Sequence, residues 1–325
     1  MTNSRVPWLI LTALGLEYSA VRERLSRCST VVHPRGSRYE TGYLNEIQVA
    51  IVECGAGNTS AAVECERAIT FFEPRFVLFV GVAGGLKDVQ LGDVVFASKV
   101  YGYESGKAEV EFRPRPQVFT TNYALLQSAK ELARNSADKK AFIGPIAAGE
   151  KVIASIQASE FKFIKQIYGD AIAVEMEGYG FLHAGYANNA DCMVIRGISD
   201  LIEGKVEADA GGSQLHASEN AAEFAVRLIE LHRPNLPSDA PPREIVGALA
   251  EHLYPLGPSE NQLWSRAGGD LALLPLNQTG RAAWFSALKI LYSGGGGKDI
   301  SPLKLIATMI DDHPNNSELS ALLMH

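Results

Sequence analysis

Residues 171–178 read AIAVEMEG. A run of strand character breaks directly into two carboxylates, Glu175 and Glu177, which flank Met176. A strand buried on both faces stays apolar. Acids at its end therefore mark a handover from strand to loop, where chemistry rather than packing sets the residue type.

The handover recurs. Glu17 follows WLILTALGL (8–16) and Asp200 follows MVIRGIS (193–199). One such acid is also what a helix N-cap or a surface residue looks like. Three of them beside runs that should be buried point to convergence at one edge of a sheet. Two glycine loops, ECGAGNTS (53–60) and VGVAGGL (80–86), also end strand-like runs. Glycine there permits close backbone approach and presents N–H donors, although tight βα turns use it too. Neither loop has the spacing of a Walker A motif, and GAGNTS is not GxGxxG.

The rest of the first 230 residues alternates in the same way. Strands are predicted at 8–14, 48–54, 76–81, 93–98, 143–149, 171–175 and 192–197, and helices at 18–27, 59–72, 122–135, 159–168, 177–187 and 213–232. Alternation of this kind implies an α/β layered fold with a largely buried sheet, which collects ligands at strand ends. Residues 233–243, RPNLPSDAPPR, denies both helix and sheet ladder and reads as a linker. Beyond it, EIVGALAEHLY, SENQLWSRAG, GRAAWFSALKILY and SPLKLIATMIDDH have helical spacing, with Trp284, Leu288 and Leu291 on one face.

Composition bounds the function. The chain has 325 residues, 46% hydrophobic and 21% charged, with a net charge of −7. That length suits one domain of ~200–250 residues plus an appendage. The acidic balance argues against a nonspecific grip on nucleic acid. Cys28, Cys54, Cys65 and Cys192 form no CxxC pair, so free thiols are expected and no zinc site. The apolar run at 8–16 lacks a cleavage signal and leads straight into charged residues, and nothing reaches the ~18 apolar residues of a membrane span. A cytoplasmic protein with no membrane contact is the expectation.

TALGLEYSAV, GVAGG, AIAVEMEG and VIRGISD, in this order and spacing, resemble the nucleoside phosphorylase and nucleosidase superfamily, nearest in pattern to the methylthioadenosine/S-adenosylhomocysteine nucleosidases. The resemblance covers residues 8–232. It implies a three-layer α/β fold around a central mixed sheet, here followed by a small all-α bundle, and a purine nucleoside or nucleotide N-glycosidase without metal or organic cofactor. On it, Asp200 serves the purine N7 as proton donor and Glu17 activates the attacking water. Glu177 binds ribose hydroxyls, Met176 packs on the sugar, and Ala83, Gly84, Val152 and Ser199 complete the substrate contacts. Glu175 supports the motif. The division is chemically sensible, because breaking an N-glycosidic bond places positive charge on the sugar and negative charge on the base.

The sequence also departs from the family, with Val82 where a serine is usual and Val152 where an aromatic stacks on the purine. Both put a small thio-nucleoside in doubt. Lys151 suits a phosphate, and so do Lys107, Arg113 and Arg115 in the segment 101–119, which reads equally as a hairpin balanced by Glu104, Glu109 and Glu111. ATP-like nucleotides are therefore expected substrates, with adenine as product. The tail, REIVGALAEHLYP onward, resembles the helical effector-associated domains that bacteria fuse to enzymes of conflict and antiviral systems, which implies a regulated effector recruiting a matching protein partner. The expected organisation is a nucleosidase domain at 1–233, a linker at 234–242 and an interaction domain at 243–325, with homo-oligomers usual among the relatives.

Three alternatives stand beside this reading, the first a methylthioadenosine/S-adenosylhomocysteine nucleosidase acting on the small thio-nucleoside itself. A phosphate-dependent phosphorylase would carry a GDPxR-like loop where this chain has LGLEYSA, although Arg22 and Arg24 follow on the next helix. A silent nucleotide-binding scaffold would have no need of the acid and the base together.

Overall fold

Strand β1 (Trp8–Thr12) is buried along its whole length. Trp8 and Ile10 enter one apolar cluster, and Leu9 and Leu11 enter another. The period-two alternation of a strand sends consecutive side chains to opposite faces, so a continuous apolar run can join two cores at once. A computed structural model describes residues 6–45, 47–110, 112–136, 140–202, 212–232, 241–275, 278–292, 295–297 and 299–322. Glu111 and most of the expected linker lie outside these.

The strands are β1, β2 (Ser26–Val32), β3 (Arg38–Leu44), β4 (Ile47–Glu53), β5 (Phe76–Gly85), β6 (Val94–Gly102), β7 (Gly106–Ala108), β8 (Phe112–Pro114), β9 (Gln117–Thr120), β10 (Ala141–Ala148), β11 (Ala173–Glu175) and β12 (Asp191–Asp200). Ten of them form one mixed sheet in the order β11-β10-β6-β12-β5-β1-β4-β3-β2, with β9 on β6 and a further pairing of β11 with β5. Parallel pairs at β1–β4, β1–β5 and β5–β12 meet antiparallel ones at β12–β6 and β11–β5.

Helices α1 (Gly15–Arg22), α2 (Asn58–Phe72), α3 (Tyr123–Asn135), α4 (Ser159–Ile167), α5 (Gly178–Ala187) and α6 (Ser213–Leu231) follow the strands as the alternation predicts. Helices α2 and α5 cover one face, where Cys65, Phe72 and Phe181 join Leu9, Leu11 and Phe79. The opposite face takes Ala20 and Val21 of α1, Leu125 of α3 and Phe224 and Leu228 of α6 against Trp8, Leu78 and Ile195. A sheet buried on both faces between helices is the three-layer arrangement expected from the sequence.

Contacts divide the chain into two units, Met1–Leu231 and His232–His325. The second is helical among its described residues, with α7 (Arg243–Leu253), α8 (Leu263–Arg266), α9 (Gly280–Tyr292), α10 (Pro302–Asp312) and α11 (Ser317–Ala321). Its own core holds Trp264, Trp284, Leu288, Leu291, Leu305 and Met309. Both indoles are satisfied, Trp264 Nε1 donating to Gly296 O at 3.1 Å and Trp284 Nε1 to Tyr254 O at 2.8 Å. Among the described residues no helix is long and apolar enough to cross a membrane. The four cysteines are free, Cys65 and Cys192 in the core and Cys28 and Cys54 half-buried.

Candidate active site

Four strand ends open onto one cavity of about 230 Å³. From the end of β1 comes Glu17, from β5 Val82, Ala83 and Gly84, from β11 Glu175, Met176 and Glu177, and from β12 Ser199 and Asp200. Lys151, Val152 and Ile153 after β10 close another side, and Ala13, Leu14, Ala56, Val174, Ile202 and Gln214 fill the remainder. All of these belong to the first unit.

Glu17 sits in the first turn of α1 and is 3% exposed. Its carboxylate accepts the Ala13 and Leu14 N–H groups at 2.8 and 3.0 Å and the Val82 N–H at 2.8 Å. Leu14 rather than this acid is the N-cap; Glu17, three residues on, reaches back to the Leu14 N–H and also across to β5. Burial raises its pKa, against the lowering pull of Arg196 and three backbone donors.

Glu175 is spent on its surroundings. It accepts the Glu177 N–H at 3.0 Å, the Gly178 N–H at 2.8 Å and Arg196 Nη2 at 2.5 Å. That arrangement turns the chain at the end of β11 and aims the next carboxylate into the cavity. Glu177 takes the Gly57 N–H at 3.0 Å and Arg196 Nη2 at 3.3 Å. Burial pushes its pKa up to about 7, with Arg196 lowering it and Glu175 raising it. Asp200 is 1% exposed. It accepts the Ser199 hydroxyl and the Ile202 N–H, both at 3.1 Å.

Arg196 is the residue that sequence reasoning passed over. It lies on β12, fully buried, with its guanidinium 4.4 Å from the Phe79 ring centre. The signal was present, because an arginine inside CMVIRG is a charge in a strand that must be buried, and buried charges come with partners. Its Nη1 and Glu17 Oε1 crowd the space beside Gly81, where a Cβ would lie 2.3 and 2.5 Å from them. Glycine at this position is what lets the cation and the Glu17 carboxylate share that space.

Nine of the twelve residues expected at the site line the cavity: Glu17, Ala83, Gly84, Lys151, Val152, Met176, Glu177, Ser199 and Asp200. Lys107, Arg113 and Arg115 do not line it. The first two stand on the β7–β8 hairpin and pair with Glu109, Arg113 Nε at 2.9 Å from its carboxylate. Arg115 donates its backbone N–H to Ser105 O at 2.8 Å. Among the described residues Lys151 is the one cation in the lining, and its ammonium lies 2.8 Å from Glu160. Arg22 pairs with Glu40 at 2.6 Å and Arg24 bonds the Ala20 and Glu219 carbonyls, both outside the lining. Among the described residues no group of His, Cys, Asp and Glu is arranged to hold a metal ion.

Known proteins share this framework. A 5'-methylthioadenosine/S-adenosylhomocysteine nucleosidase of Maridesulfovibrio salexigens is 30% identical over 198 residues, covering 59% of this chain and 83% of that one. Its counterpart in Desulfotalea psychrophila is 27% identical over 232 residues, covering 68% and 96%. Among solved structures, the nucleosidase of the same name from Neisseria meningitidis, in complex with methylthio-immucillin-A, superposes with a TM-score of 0.62 at 23% identity over 69% of this chain and 98% of its own. A futalosine hydrolase mutant of Helicobacter pylori gives 0.60 at 20% identity, covering 69% and 98%. The family described as the phosphorylase superfamily matches residues 7–230, the span that carries the strands and the cavity lining among the described residues, and the chain belongs to that superfamily.

Proposed function

We propose that this nucleosidase hydrolyses the N-glycosidic bond of a small purine nucleoside of the methylthioadenosine or S-adenosylhomocysteine type and releases adenine. The observation that carries the reading is the gathering of Glu17, Glu177 and Asp200 in one cavity, with Arg196 behind the first two. Glu177 takes the ribose hydroxyls and Met176 supports the sugar. Water attacks C1' as the bond from C1' to the purine nitrogen breaks, Glu17 accepts the water proton, and Asp200 delivers a proton to N7 of the departing base. Positive charge on the sugar is met by carboxylates and negative charge on the base by an acid.

The lining favours a nucleoside over a nucleotide. Among the described residues four carboxylates, Glu17, Glu175, Glu177 and Asp200, face one lysine that Glu160 already holds. A triphosphate would enter against that field. The volume points the same way, since about 230 Å³ is below the ~300–1,000 Å³ of sites for drug-sized ligands. Water rather than phosphate as nucleophile follows from the same charge. We read the helical unit as a module that recruits a protein partner, on the strength of its separate core and its sequence pattern.

The test is chromatography of methylthioadenosine, S-adenosylhomocysteine, adenosine, AMP and ATP incubated with the protein, with and without phosphate. Adenine from the first two without phosphate, and its loss in Asp200→Asn, is the expected result. Strict dependence on phosphate, or release from ATP alone, overturns it.

A further inference from the structure

Asn58 opens α2 yet is 6% exposed, and both ends of its side-chain amide are used. Nδ2 donates to Gly149 O at 3.0 Å and Oδ1 accepts the Gly180 N–H at 2.9 Å. Those partners lie 91 and 122 residues away, one at the end of β10 and one in the first turn of α5. Gly149 also donates its N–H to Glu175 O at 3.1 Å, and just beyond it Lys151, Val152 and Ile153 form a wall of the cavity. Gly180 in turn leaves room for the backbone of α2, because a Cβ there would lie 1.9 Å from Asn58 O. The residue before Asn58, Gly57, has φ +96° and gives its N–H to Glu177 Oε1 at 3.0 Å.

One amide thus ties three segments that share no sequence neighbourhood, and the donor that meets Glu177 is the peptide next to it. We propose that Asn58 is a positioning residue of the site: by clipping the start of α2 to the end of β10 and to α5 it holds the Gly57 N–H on the Glu177 carboxylate. The consequence rests on the reading of Glu177 as the ribose-binding group. A backbone donor fixes where a carboxylate points and favours its ionised form. Loss of the clip frees Gly57, and the carboxylate turns away from the orientation that accepts two ribose hydroxyls.

The experiment uses the full chain with Asn58→Ala and Asn58→Ser, the second residue being well suited to a helix start and so a guard against misfolding. The Glu177 carboxyl is followed by carbon NMR as pH is varied, assigned by its absence in Glu177→Gln. The groups facing it, Arg196 on β12, Glu175 on β11, Glu17 on α1 and Cys54 after β4, are the same in every sample. Both variants are expected to titrate at higher pH than the wild type. With methylthioadenosine as probe, KM should rise about tenfold at little changed kcat, the effect of losing roughly 1.4 kcal/mol of binding. A lower melting temperature with unchanged titration and KM would reduce Asn58 to a structural residue and sink the proposal. If the wild type releases no base from any nucleoside, the functional reading fails, and the titration still decides whether Asn58 positions Glu177.

Discussion

Glu175 and Glu177, two residues apart on the chain, share one nitrogen: Arg196 Nη2 lies 2.5 Å from the first carboxylate and 3.3 Å from the second. Glu17 adds a third negative neighbour to the same cation. The guanidinium is wholly buried, so its desolvation must be offset by all three.

Removing the cation while leaving the acids is therefore expected to be severe. Arg196→Met should lose about 3–5 kcal/mol of stability, the usual effect of breaking a buried ion pair from one side. Urea unfolding of the purified variant measures it, and a loss below about 1 kcal/mol, the range of surface pairs, would show that the cluster is not held by this charge. Base release should vanish together with the stability.

The pH dependence of stability carries a definite sign. Glu177 titrates at about 7 in the folded protein against 4.5 as its ordinary value, and Glu17 is shifted in the same direction, in both cases chiefly by burial. The folded state then binds protons more tightly than the unfolded chain. Stability from these groups is fully present below pH 4.5 and is lost as pH rises through about 7. At about 1.4 kcal/mol per unit, Glu177 alone accounts for on the order of 3 kcal/mol. Glu160, held at about 2 by Lys151, has the opposite sign but acts below this window. Urea midpoints at pH 5 and pH 8 should differ in the wild type and differ by clearly less in Glu177→Gln, where only the share of Glu17 remains. Equal slopes in the two proteins would remove Glu177 as the cause.

Much of this was legible in the sequence because two signals are local. Apolar runs of strand length named seven of the ten strands in the main sheet, and β12 extends through Asp200 just as MVIRGISD runs on. The strands β2, β3 and β9 were not foreseen. SRCSTVV and RYETGYL pair antiparallel at the sheet margin, where mostly half-buried or exposed positions leave no apolar run to read. Glu17, Glu177 and Asp200 were found because acids interrupt buried runs. Arg196 announces itself as a charge inside a buried strand, but its role does not, since that depends on partners that arrive from β11 and α1. Asn58 was invisible for the same reason, as nothing in GAGNTS announces bonds to Gly149 and Gly180.

Val152 marks the clearest local departure from the resemblance. Its side chain lines the cavity and is 62% exposed, so an aromatic ring has room there. Stacking of a base on an aromatic side chain contributes about 1–3 kcal/mol. Val152→Phe is expected to lower KM for methylthioadenosine about tenfold or more. Steady-state kinetics checks it, and an unchanged or higher KM would mean that the purine does not lie against this position.

The second unit offers a test of its independence. Its core is built from Leu263, Trp264, Trp284, Leu288, Leu305 and Met309, all contributed by residues after 241. Two of the chain's three tryptophans are in that core, each with its indole nitrogen bonded. A fragment of residues 241–325 should thus fold alone, with buried-tryptophan emission and one cooperative unfolding transition. Trp264→Ala within it should lose about 3–5 kcal/mol, enough to unfold a domain of this size. The complementary fragment 1–232 should release base with unchanged kcat/KM if the helical unit recruits a partner. A rise in kcat/KM on truncation would instead make that unit an inhibitor of the site, and a fall would show that the two units fold as one.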